Sequence, residues 1–168
     1  MAIVHHVAGA ATIRVDTGGS NALEDLGYTR DGAMVRFDGF FLDIPCDLTG
    51  GENGPPSDIQ FLGETALITC DFTKFDETIA TKIRSRRYGI AEGQYVPADI
   101  GKLMIGSTPT LTFRVVIDPA IALPLNFPIC VFREPFEINK GTKYSTWRVE
   151  CTAYRSVLTD VLYNAVDT

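Results

Sequence analysis

Apolar and polar residues alternate with period two over most of this chain, so strands are the elements it predicts. Residues 10–17 (AATIRVDT) place Ile13 and Val15 on one face of a short first strand. A polar, Gly-rich stretch follows, in which Asp31-Gly32 is a turn signal. Residues 33–44 start with Val35 and Phe37 in one phase and continue with Phe40, Leu42 and Ile44 in the other. The phase changes at Asp38-Gly39, which predicts a β-bulge and a bend there. Residues 45–63 (PCDLTGGENGPPSDIQFLG) hold four glycines and three prolines and show no period. Nineteen residues is long for a connection inside a compact domain, so this loop is either disordered or makes contacts outside its own domain. Residues 64–72 alternate cleanly, with Ala66, Ile68, Cys70 and Phe72 opposite Thr65, Leu67, Thr69 and Asp71.

One helix is predicted, over residues 75–88. Phe75, Ile79 and Ile83 recur every four residues and form a narrow apolar stripe. Thr73 with Asp76 three residues on makes a variant capping box. Asp76 and Glu77 fall in the first turn and Arg84, Arg86 and Arg87 in the last, which suits the helix dipole, and Gly89 can end the helix. Residues 88–109 are mixed, with a short strand expected near 102–105. Residues 110–118 alternate with Leu111, Phe113, Val115 and Ile117 inward, and residues 119–128 turn the chain. Residues 129–138 and 145–156 read as a hairpin around Asn139-Lys140-Gly141-Thr142. Its second arm sets Trp147, Val149, Cys151 and Ala153 against Arg148, Glu150 and Thr152. The fold class expected is mainly β: an antiparallel sandwich or barrel of six to seven strands with one flanking helix and a long loop.

Composition narrows the function classes. A chain of 168 residues with 45% hydrophobic and 21% charged residues is one globular domain, with residues 1–9 expected to be a mobile N-terminal segment. The formal charge is −6, which argues against a nucleic-acid grip, since phosphate binding is driven by Lys and Arg. The acidity is local: residues 30–77 carry ten acids against three bases, a net of −7 that leaves the remainder at +1. Residues 111–132 are too interrupted by charge and proline to span lipid, and the N-terminus lacks the pattern of a secretory signal. Cys46, Cys70, Cys130 and Cys151 are scattered without zinc spacing, and Cys70 and Cys151 fall on apolar strand phases. Reduced, structural thiols in a cytoplasmically made protein are expected.

No catalytic set emerges. His5 and His6 are adjacent and terminal, poorly placed as metal ligands, and no other histidine exists to serve a Ser-His-Asp or Cys-His site. Phosphate-loop, zinc-protease and EF-hand spacings are missing. Gly50-Gly51-Glu52-Asn53-Gly54 runs into Pro55-Pro56 rather than a helix N-terminus, so a plain loop explains it better. Acid pairs such as Asp43 with Asp47, or Asp71 with Asp76, read more simply as solvated face residues than as general acid–base pairs. Lys82, Arg84, Arg86 and Arg87 are accounted for by the helix C-terminus, and Trp147 by the core. No cofactor and no metal is expected.

Several segments together resemble the tail tube proteins of tailed bacteriophages, a family whose fold is similar to the type VI secretion tube protein. Leu26-Gly27-Tyr28-Thr29-Arg30-Asp31-Gly32 leads into a strand. After the Gly/Pro-rich loop, Ser57-Asp58-Ile59 leads to Leu62-Gly63-Glu64-Thr65-Ala66, an alternating strand and a helix. Later, Pro135-Phe136-Glu137-Ile138-Asn139-Lys140-Gly141-Thr142-Lys143 precedes the strand ending in Cys151-Thr152-Ala153-Tyr154. The resemblance implies a virion structural protein whose copies join into rings, usually of six, that stack into a tube through which DNA passes unbound. It implies an inter-ring contact loop that includes Asp47, Leu48, Glu52, Asn53, Pro55, Pro56, Asp58 and Ile59. Asp38, Asp43 and Asp71 become candidate lumen-facing acids, and Phe75, Ile79 and Ile83 mark the flanking helix. Acidic lining would keep phosphate from sticking.

Three function classes follow. The first is the self-assembling tail subunit, or a related neck, terminator or baseplate protein, with other tail proteins as partners and no membrane. The second is a monomeric β-barrel that holds a ligand. The third is a hydrolase dependent on Asp43, Asp47 or Asp71, which the missing catalytic set makes the weakest.

Overall fold

In the computed structural model, six antiparallel strands close into a barrel. The structure describes residues 9–16, 22–44, 58–80, 83, 88–91, 94–97, 112–131, 147–156 and 161–165. The barrel strands are β1 (Ala11–Asp16), β2 (Glu24–Ile44), β3 (Asp58–Phe75), β6 (Phe113–Pro119), β7 (Leu125–Val131) and β8 (Trp147–Ala153). They run in the order β6-β1-β2-β3-β8-β7, and β7 pairs back onto β6. β4 (Tyr88–Ala91) and β5 (Gln94–Pro97) form a separate hairpin, and β9 (Asn164–Ala165) pairs with β7. The mainly-β fold read from the alternation is borne out, and of the sandwich or barrel left open there it is a closed barrel.

The inward phases are the ones the sequence marks. Ile13, Val15, Ile68, Phe72 and Phe127 are each at most 1% exposed, so the barrel interior is a packed core. Cys70, Phe113, Val115, Ile117, Val149, Cys151 and Ala153 join the same cluster. Thr29 is buried there too, and its hydroxyl spans the Ala11 rung, donating to the Ala11 carbonyl and accepting from its amide at 3.3 Å. That pairing satisfies the hydroxyl inside the core.

Five expectations need correction. Asp31-Gly32 is no turn: β2 runs through it, and residues 30–32 are absorbed as an irregularity between Thr29↔Phe72 and Ala33↔Cys70. Gly32 takes φ +82° there, so the conformation that suits a turn serves a bulge instead. The expected bulge at Asp38-Gly39 is also displaced. Asp38↔Thr65 and Gly39↔Glu64 pair regularly, and the slip comes at Phe40/Phe41, with Leu62 as the extra residue on β3 and Gly63 at φ +135°.

Third, the predicted loop ends early, because β3 begins at Asp58; Asp58 and Ile59 are strand residues paired with Ile44 and Asp43. Fourth, the helix starts later than expected. Phe75 is the last residue of β3, and helix α1 is described at 77–80 and 83, while Tyr88 opens β4. Asp76 caps it, its Oδ1 accepting from the amides of Thr78 (2.8 Å) and Ile79 (3.1 Å). Thr73 instead donates to the Tyr28 carbonyl across the β2–β3 ladder. Fifth, the turn at 119–128 is shorter, since β7 starts at Leu125 and carries Pro128 within it. The expected strand near 102–105, the hairpin turn 139–142, residues 1–8 and Cys46 lie outside the described residues.

Candidate functional site

β2 and β3 outrun the barrel. β3 pairs with β8 from Phe72↔Trp147 to Ala66↔Ala153, and β1 pairs with β2 only from Glu24 to Thr29. The β2–β3 ladder continues regardless, from Phe37↔Ala66 to Ile44↔Asp58. Over Asp38–Asp43 and Ile59–Thr65 no third strand pairs with either member among the described residues. The result is a two-stranded ribbon that leaves the barrel at Phe37.

The ribbon carries large apolar residues on both faces, interspersed with Asp38, Asp43, Asp58 and Glu64. Paired residues share a face and successive residues alternate, so Phe37, Phe41, Phe61 and Ile59 continue the inward face of the sheet. Phe40, Leu42 and Ile44 lie on the other. Phe41 and Phe61 stack at 5.4 Å between ring centroids, yet are 63% and 57% exposed. Phe40, Leu42, Ile59 and Leu62 are also each at least half exposed. On a strand that lies against a core such residues would be covered; among the described residues no further strand lies beside them. Large contiguous apolar exposure of this kind marks interaction surfaces, and unpaired strand edges add backbone donors and acceptors to it.

The sequence-predicted residues scatter over this surface. Asp58 and Ile59 sit on the ribbon, whereas Asp47, Leu48, Glu52, Asn53, Pro55 and Pro56 lie outside the described residues. Asp38 and Asp71 share the outward face of the sheet, and each is held by an arginine. Arg36 grips Asp38 through Nε and Nη2 at 3.0–3.2 Å, and Arg148 reaches Asp71 at 2.8 and 3.0 Å. The Arg148 hydrogen bonds hold the Asp71 carboxyl below its usual range, and Asp38 raises the Arg36 guanidinium in the same way. Asp43 stands on the opposite face of the ribbon, opposite Ile59. The three acids therefore do not converge on one point.

The helix residues do a different task. Ile83 is buried and Ile79 packs against the core, while Phe75, still in strand, stacks on Trp147 at 4.4 Å. Cys70, Cys130 and Cys151 are buried thiols, and burial pushes the Cys70 thiol up, away from thiolate chemistry. Among the described residues no group of three His, Cys, Asp or Glu is placed to hold a metal ion. What sequence reasoning missed is the aromatic ribbon; its signal was the phase change itself, which leaves large residues on both faces of residues 35–44.

The class defined by these features is a closed antiparallel β-barrel bearing an exposed apolar β-ribbon. No protein-family model matches the chain, and no curated protein matches it. No helix among the described residues is long and apolar enough to cross a membrane.

Proposed function

We propose that this chain is a non-enzymatic virion structural protein, a subunit that assembles with copies of itself into rings stacking as a tail tube. The observation that carries the reading is the β2–β3 ribbon, which exposes large apolar residues on both faces and whose edges meet no third strand among the described residues. A second copy covers such a ribbon by burying Phe41 and Phe61 and by extending its ladder. The likeness to tail tube proteins in the order of the segments supports the same assignment, with DNA passing through the channel and other tail proteins as further partners. On the outward sheet face Arg36 is paired with Asp38 and Arg148 with Asp71, and Glu150 shares that face, so it offers phosphate no cationic hold.

The packed barrel interior weighs against a ligand-binding module, whose cavity would need that space. Negative-stain electron microscopy across a concentration series tests the assignment. Rings or hollow tubes from the native chain, lost in a Phe41→Ser/Phe61→Ser variant, are the expected outcome. A native chain that stays monomeric at every concentration would reject it, and a variant that forms the same tubes would reject the ribbon as the contact between copies.

A further inference from the structure

β8 leaves β7 early. Its last rungs on β7 are Val131↔Thr152 and Cys130↔Ala153, after which the Tyr154 amide donates to the Ile129 carbonyl at 2.9 Å. The Ser156 amide donates to the Val161 carbonyl at 2.9 Å. β9 fills the place beside the first half of β7, pairing Asn164 with Asn126 and Ala165 with Leu125. Leu162 is buried in the core. Asn126 is buried as well; its Nδ2 donates to Asn164 Oδ1 at 2.7 Å and its Oδ1 accepts from Arg114 Nε at 2.6 Å.

Tyr163 lies between these anchors and does something different. Its ring centroid is 5.9 Å from Phe127, which is fully buried in the barrel, and 5.2 Å from Phe37. Phe37 stands opposite Ala66, and Ala66 opposite Ala153, the last rung at which the ribbon still has β8 beside it. The Tyr163 ring therefore bridges the barrel wall and the root of the ribbon at the point where lateral strand support ends.

We infer that residues 161–165 form a strap that clamps the root of the ribbon to the barrel, with Tyr163 as the positioning residue. A two-stranded ribbon is marginally stable alone, so a clamp at its root decides how far its pairing persists towards the tip. The strap itself is a two-rung strand with a half-exposed ring, which places it among the elements that open before the barrel does. Its release loosens the ribbon without dismantling the core. The inference concerns the isolated chain and does not depend on ring assembly.

Hydrogen exchange on the full-length chain under non-assembling conditions tests it. Tyr163→Ala should speed exchange of amides in 37–44 and 58–66 by about tenfold, while amides of β1 and β6 keep their native protection. Tyr163→Phe should behave as the native chain, because the ring and not the hydroxyl makes the bridge. Asn164→Ala, which removes the Asn126 bond, should raise exchange in the same segments to a smaller degree. Adding Phe37→Ala to Tyr163→Ala should change the ribbon little further, since both remove one contact. Unchanged ribbon exchange in Tyr163→Ala, or an equal rise in β1 and β6, would overturn the strap.

Discussion

Arg148 on β8 and Asp71 on β3 face each other across one rung and are joined by two parallel hydrogen bonds, Nε to Oδ1 at 2.8 Å and Nη2 to Oδ2 at 3.0 Å. Both side chains are largely exposed, so the pair contributes within the range of about 0–1 kcal/mol typical of surface ion pairs. Its sign with pH is fixed. The folded-state pKa of Asp71 is lowered, so the contribution is present above the unfolded value near ~3.9 and is lost as pH falls through the folded value. Thermal melts of the native chain and Asp71→Asn should differ slightly at pH 7 and converge in acid. A difference that grows on acidification would contradict this assignment of the proton linkage.

Trp147 is the single tryptophan and sits between Phe75 at 4.4 Å and Phe72 at 5.5 Å, so its fluorescence reports the β3–β8 seam. Phe72 is buried and Phe75 is partly exposed. Phe72→Ala should cost about 3–5 kcal/mol in denaturant unfolding through the cavity it leaves. Phe75→Ala should shift the emission to the red at a much smaller cost in stability.

Replacing Phe41 and Phe61 by serine removes exposed apolar area and leaves the core alone. Unfolding stability should stay within about 0.5 kcal/mol of native for each change, as for other surface positions. Sedimentation should show smaller assemblies than the native chain forms at equal concentration. Loss of stability comparable with Phe72→Ala would mean that the ribbon faces are covered within the monomer.

Gly63 at φ +135° occupies a backbone region that side chains rarely adopt, with open space around its α-carbon. Gly63→Ala should therefore strain the backbone without a clash, at about 1–3 kcal/mol. The strain falls on the ribbon, so exchange of amides in 39–44 and 58–64 should rise ahead of those in the barrel. Uniform exchange changes over the whole chain would refute the local origin.

The buried thiols should be silent in the folded chain. Burial raises the Cys70 thiol, and Cys130 and Cys151 are equally enclosed. A thiol-reactive dye at neutral pH should label these three only after denaturant is added, with the modified peptides identified by mass spectrometry.

The sequence by itself determined the strand character of the chain and most of its inward set. Alternation with period two assigned Ile13, Val15, Ile68, Cys70, Phe72, Val149 and Cys151 to one interior, because side-chain direction follows from backbone geometry alone. Tertiary structure decided where strands stop. Asp31-Gly32 serves a bulge as readily as a turn, since both use glycine's positive φ, and only the neighbouring β3 ladder selects between them. Asp76 rather than Thr73 caps α1 because β3 continues to Phe75 and keeps Thr73 in its ladder. The candidate site was half legible. Residues 35–44 announced large residues on both faces, but their exposure depends on how far β1 and β8 run beside them. The meeting of Phe37, Phe127 and Tyr163 was not legible at all, because contacts between segments so distant in the chain leave no local pattern and arise only when the barrel closes.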